Sequence, residues 1–411
     1  MNILIAPNSF KGTLNAGMAA FAIAKGIKKS LPEINLKLSP ISDGGDGLID
    51  IALTALGGQI KTAKVQGPLK KQVEARYILS KDKTAIIEMA EASGIKYLKP
   101  NELDIMNAST FGVGQLISKA LKSGAKKIII GLGGSASNDG GAGCAQGFGF
   151  KLKDARGKSI SRGIRGLSEL SQIDNSLQKK LEKITFIALR DVSNPLCGRK
   201  GSAEIFGPQK GASVREVKII EKALSHYSKI IKRKLNKNIK QVKGGAAAGG
   251  LAAGLYAFFG AKLTDGTKYV FKLIGLERDI KKADIIITGE GKFDNQSLSG
   301  KGFYGISTLA LKYKKPIVVI CGKSQVKNKR VLHAKGVKYV IELEKVFKGK
   351  NLFIKPEKWL EKAFNIEAEK MMKILMANYY SPNRIKNQEA RSKKQETRGK
   401  SSMEFPYPSD I

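Results

Sequence analysis

Cysteine, histidine and acidic residues are scarce in this chain, and it has no long hydrophobic run. The three cysteines, Cys144, Cys197 and Cys321, are odd in number and far apart. That excludes a disulfide framework and a cysteine quartet for zinc, and it suits a reducing compartment. His226 and His333 are the only histidines, and His226 falls in an apolar-periodic helix, where it reads as structural. The longest low-polarity stretch, AAAGGLAAGLYAFFGA at 246–261, falls short of the roughly 18 residues a membrane helix needs. The N-terminal MNILIAPNSFKG has no basic stretch before its apolar run, so it reads as a first strand rather than a signal peptide. These absences predict a soluble, cytoplasmic protein with no membrane partner.

The shortage of acids is the strongest compositional signal. Lys and Arg number 73 against 35 Asp and Glu, a formal net charge of +38. Such a balance fits either nucleic-acid binding or a lysine-rich surface that keeps the protein soluble and draws in anions. Lysine greatly outnumbers arginine and is scattered over the whole chain. There is no arginine-rich arm, no zinc-ligand spacing and no aromatic-glycine RNA-binding signature. The expectation is therefore no nucleic-acid partner, and a field that favours anionic substrates.

What is present is glycine in clusters next to strand-like runs. The 411 residues suggest two domains or three, and the 45 glycines mark turns or places where backbone must approach a ligand. Continuous apolar runs at 2–7, 36–41, 126–134, 184–192, 283–291, 315–322 and 337–343 suit parallel strands covered on both faces. Helical periodicity over 15–31, 110–124, 215–235 and 301–314 separates several of them, which predicts an α/β protein. The stretch 63–89 alternates like an antiparallel hairpin. We therefore expect two domains. One is a Rossmann-like parallel sheet with flanking helices, built from 1–62 and 280–380; the other is an inserted mixed α/β domain over 63–279. The tail, 383–411, is polar and basic and is expected to be disordered.

Charge and glycine coincide at strand ends, where open α/β sheets bind ligands. NSFKG at 8–12 offers Lys11 as a phosphate or carboxylate contact, with Asn8 or Ser9 available as a helix cap. SDGGDG at 42–47 carries Asp43 and Asp46; it reads either as a tight turn or as a magnesium site, since Mg²⁺ takes one or two carboxylates plus waters and phosphate oxygens. IIIGLGGSASNDGGAG at 128–143 combines glycines, small hydroxyls and an acid, a candidate anion cradle. DVSNPLCG supplies Asp191, FGPQKGAS supplies Lys210, and ITGEGKFDNQSLSGKG at 287–302 supplies Glu290, Asp294, Ser297 and Lys301. GGAAAGGLAAG at 244–254 fits close helix packing at least as well as ligand contact. Neither a P-loop nor a dinucleotide fingerprint is complete: Ile317 stands where the P-loop's first glycine belongs, and Ala136 where the fingerprint's last glycine belongs.

In this order, APNSFKG, DGGDG, IEMAEASG, IIIGLGGSASNDGGAG, DVSNPLCG, FGPQKGA, GGAAAGG and ITGEGKFDNQSLSGK, the blocks closely resemble the glycerate kinase family, in the bacterial glycerate 2-kinase type, from residue 1 to about 378. The chain departs from the family's usual residues at Asn8, Asp46, Arg190 and Lys292. The resemblance implies two α/β domains with the active site in the cleft between them, and ATP-dependent phosphorylation of D-glycerate to 2-phosphoglycerate. Implied cofactors are ATP and Mg²⁺. Asp43, Asp139 and Glu290 are the candidate metal ligands. Gly133, Gly134, Ser135, Asn138, Lys210 and Lys301 are the candidate nucleotide and phosphate contacts. Asp191 is the candidate base, with Asp43 as the alternative, and Lys11 a charge-neutralising catalytic residue. Another hydroxy-acid acceptor, 3-kinase regiochemistry, or a non-catalytic anion- or nucleic-acid-binding protein are the alternatives, and a homo-oligomer is left open.

Overall fold

The computed structural model describes residues 1–10 and 12–379, with backbone alone for Ser299, Lys301 and residues 376–379. The expected tail at 383–411, and Lys11, lie outside the described residues. The strands, in chain order, are β1 (Asn2–Ile5), β2 (Asn35–Leu38), β3 (Gln59–Gln66), β4 (Gln72–Leu79), β5 (Thr84–Glu88) and β6 (Lys127–Gly131). They continue with β7 (Lys151–Lys153), β8 (Gln172–Asp174), β9 (Thr185–Arg190), β10 (Lys262–Asp265), β11 (Ile285–Phe293), β12 (Ile317–Ser324) and β13 (Val337–Glu342).

Two large sheets result. A five-stranded sheet has the order β13-β12-β11-β1-β2 and is parallel throughout. Its isoleucine runs follow from burial on both faces. Ile3, Ile5, Ile285 and Ile287 pack with the helices Ala16–Ser30 and Pro356–Tyr379, while Leu4, Ile286 and Val319 face the helices Leu276–Lys282 and Lys301–Lys312. The helix Ala16–Ser30 starts at Asn15, whose Oδ1 accepts from Met18 N–H at 2.8 Å. Asn15 therefore takes the capping role expected of Asn8 or Ser9, and Asn8 Oδ1 instead accepts from Ser9 N–H at 2.8 Å.

A six-stranded sheet has the order β10-β9-β6-β5-β4-β3. Its first four strands are parallel, and β3, β4 and β5 form the antiparallel meander expected near 63–89. The protein is thus α/β, with one parallel and one mixed sheet. The helix Leu48–Leu56 packs Leu48, Ile49, Ile51 and Ala52 against Ile78, Ile86 and Ile129 of the second sheet. The helix Gly266–Leu273 contributes Val270 to that core and Phe271 to the core of the first sheet. All three cysteines are buried and free. Among the described residues no helix is long and apolar enough to cross a membrane.

Candidate active site

The loop 42–47 leaves the carboxyl end of β2 and lands on the carboxyl ends of the second sheet. A Cβ on Gly133, just past β6, would lie 2.9 Å from the Cα of Gly45. One on Gly44 would lie 2.7 Å from the Cα of Gly266 and 3.1 Å from the Cβ of Leu189 in β9. Glycine is required in this loop because backbone meets backbone, and Gly44 and Gly47 also take positive φ. Within it, Asp43 Oδ1 accepts from Gly45 N–H at 3.1 Å, and Ser42 Oγ accepts from Gly44 N–H at 3.1 Å. SDGGDG thus forms a tight turn, as one of its two readings has it, and Asp43 is half-buried on it.

Asp43 lines a cavity of ≈ 700 Å³ together with Asn8, Ser9, Glu290, Lys292 and Asp294. Backbone bonding between neighbouring strand ends assembles these groups. Asn8 N–H donates to Gly289 C=O at 2.8 Å, and Ile41 N–H donates to Pro7 C=O at 2.9 Å. Lys292 pairs with Asp294 at 3.2 Å. Asp294 caps the helix Asn295–Ser299 by accepting from Gln296 N–H at 2.9 Å. Asp43 and Glu290, both expected as metal ligands, therefore open into one space. Two carboxylates on glycine-rich turns are the hard oxygen donors that suit Mg²⁺ completed by phosphate oxygens and water. Among the described residues there is no group of three or more His, Cys, Asp or Glu fit to hold a metal by themselves.

The loop after β6 divides into two parts. Gly134 is exposed and Gly133 half-buried, with Asp46 Oδ1 3.0 Å from where a Cβ of Gly134 would sit. Ser135, Asn138, Asp139 and Lys210 instead turn inward. Lys210, 3 % exposed, donates through Nζ to Ser135 Oγ and to Ser137 C=O, both at 2.7 Å. Burial pulls its ammonium down to about 7. Asn138 exchanges bonds with Ser202. Asp139 is fully buried; it accepts from Thr110 N–H at 2.8 Å, Gly141 N–H at 3.1 Å and Gly143 N–H at 3.2 Å, and from the Ser109 and Thr110 hydroxyls. Both carboxylate oxygens are thus engaged by protein donors, while burial still raises its pKa. It does not line the cavity that holds Asp43 and Glu290. The stretch 244–254 is the close packing that was one of its two readings: a Cβ on Gly249 would lie 1.9 Å from Ser137 O.

Asp191 follows β9, two residues past Leu189, at the sheet end the 42–47 loop covers. The neighbouring Arg190 donates through its guanidinium to Val192 C=O at 3.0 Å. Lys301 opens the helix Lys301–Lys312; its side chain is outside the described residues. One residue was not singled out from the sequence. Glu88, at the end of β5 and 7 % exposed, accepts Ile49 N–H at 2.8 Å and so holds the helix start that follows the 42–47 loop. Burial, with the Glu91 and Asp46 carboxylates adding to it, pushes its pKa up to about 7. The available signal was an acid closing an otherwise apolar strand, TAIIE.

A glycerate kinase family model matches residues 3–373. A glycerate kinase of Halalkalibacterium halodurans is 42 % identical over 78 % of this chain and 85 % of its own length. The glycerate 2-kinase of Escherichia coli is 42 % identical over 85 % of this chain and 94 % of its own. The crystal structure of a candidate glycerate kinase 2 from Salmonella typhimurium LT2 superposes with a TM-score of 0.76 at 37 % identity, covering 91 % of this chain and 98 % of that one. With strand-end turns converging as described and this agreement along nearly its whole length, the chain belongs to the glycerate kinase family.

Proposed function

We propose that the protein catalyses ATP-dependent phosphorylation of D-glycerate to 2-phosphoglycerate, in the cytoplasm and with Mg²⁺. Family membership supports a kinase with an alcohol group as acceptor. One observation carries the finer reading: Asp43 and Glu290 share a cavity, while Gly45, two residues on, packs against Gly133. Phosphoryl transfer needs an aligned hydroxyl and stabilised charge more than it needs covalent help.

Asp43 and Glu290 would hold the metal, directly or through water, and Mg²⁺ there would supply charge neutralisation on phosphate oxygens. Gly133 and the exposed Gly134 offer backbone N–H groups to the transferring end. Ser135, Asn138 and Lys210 fix that loop from behind, and Asp139 orders the turn beneath it. Lys11 and Lys301 remain proposed anion contacts. Asp191 is the proposed base for the acceptor hydroxyl. We also propose that the chain divides as its two sheets do, with the crossing at the 42–47 loop, since β3 spans residue 63 and the helix Leu48–Leu56 already serves the second core.

NMR identification of the product from D-glycerate and ATP tests the reading. 2-Phosphoglycerate is expected. 3-Phosphoglycerate would assign the other regiochemistry, and turnover only with another hydroxy acid would reassign the acceptor. Asp191→Asn is expected to slow single-turnover transfer by about 10²-fold or more. A rate within a few-fold of wild type would remove Asp191 from the role.

A further inference from the structure

The cavity that holds Asp43 and Glu290 is much larger than a three-carbon acid needs, and its lining is two-sided. Its polar side comes from β1, β2 and β11. Its other side is apolar: Phe10, Leu14, Leu343, Leu352, Phe353 and Leu360. Leu343 follows β13, and Lys323, near the end of β12, borders the same side. From β13 to β2 the sheet edge crosses four strand spacings, about 19 Å at about 4.8 Å each. That is the scale of an extended nucleoside triphosphate.

Phe353 is 78 % exposed, yet the turn that presents it is tied down. Its N–H donates to Asn351 Oδ1 at 3.0 Å. Trp359 Nε1 donates to Ile354 C=O at 3.0 Å, and the Trp359 ring packs on Phe347 with centroids 4.9 Å apart. Leu352 packs against the core beside it. A large aromatic ring held in water at the rim of a cavity leaves apolar surface available to a flat ligand. Lys323 and Glu344, paired at 3.2 Å, add a donor and an acceptor at the same rim.

We propose that this apolar end is the base subsite of the nucleotide, with the purine stacked on Phe353 and the phosphates running along the ends of β11 and β1 towards Asp43. The inference rests on the proposed kinase reading but concerns binding, which can be measured without turnover. Trp359 is the chain's one tryptophan and lies in the first turn of the helix that follows Phe353, with its Nε1 bonded to Ile354 C=O, so its fluorescence reports on the subsite. ADP should change that emission saturably, whereas D-glycerate or inorganic triphosphate should not. Phe353→Ala should weaken ADP binding and raise KM for ATP by about 5- to 100-fold, the range found for base stacking on an aromatic side chain. KM for D-glycerate should stay within twofold, and Phe353→Trp should restore tight ADP binding in equilibrium dialysis. Because Phe353 is exposed, the Ala variant should keep the wild-type Tm. An unchanged ADP affinity in Phe353→Ala, or a change confined to KM for D-glycerate, overturns the assignment. ADP binding that depends on Phe353 in a protein that does not phosphorylate D-glycerate would leave the subsite standing and remove the substrate reading alone.

Discussion

Glu88 and Lys210 are two buried ionisable groups whose work is to hold turns. Glu88 is raised from 4.5 to about 7 by burial first. The folded chain therefore favours its protonated form. That contribution is complete below about 4.5 and is lost as pH rises through about 7, and it amounts to about 3 kcal/mol at most. Glu88→Gln keeps an acceptor for Ile49 N–H and removes the titration. Urea unfolding should show the variant gaining on wild type between pH 5.5 and 8; a difference in midpoint that stays constant over that range would contradict the burial argument. Lys210→Met keeps the apolar stem but removes the donors to Ser135 and Ser137. It should lower kcat/KM by about tenfold or more while circular dichroism stays unchanged, because small displacements of a positioned loop are costly to transfer. Sequence displayed the polarity of Ser135, Asn138, Asp139 and Lys210 but not its direction; in the structure all four are buried and bonded to protein partners. That Asp43 and Glu290 line one cavity follows from placement the sequence displays: Asp43 comes after β2, and Glu290 lies in the carboxyl half of β11.

At the scale of elements, the isoleucine-rich strands were readable because burial on both faces leaves an uninterrupted apolar run. All seven such runs are strands within two or three residues of their expected ends. β7, β8 and β10, with sequences KLK, QID and KLTD, were not read. They are short and polar, and pairing with neighbours rather than composition makes them strands. The helix Leu251–Phe259 is buried almost all round, so no amphipathic stripe announces it. Its approach to the 137–141 loop depends on glycine. Gly249 has φ +66° and no room for a Cβ beside Ser137 O. Gly249→Ala should destabilise by about 2–4 kcal/mol, combining backbone strain with overpacking; a loss under 0.5 kcal/mol in denaturant unfolding would show that the two segments can part.

For the whole molecule, a formal charge of +38 surrounds a site that the proposed reaction fills with anions. A positive field concentrates such ligands and is screened within about 10 Å at 0.1 M salt. KM for ATP should therefore rise severalfold between 20 and 300 mM salt with kcat little changed; a salt-independent KM would remove the field from the account. The helix Gly266–Leu273 gives Val270 to one core and Phe271 to the other, and its first residue rests against the Asp43 carbonyl, 2.1 Å from where a Cβ would sit. It works as an axle pinned in two bearings. Sliding one sheet past the other would draw Val270 or Phe271 out of its seat, so this helix resists shear between the sheets at the place where Asp43 sits.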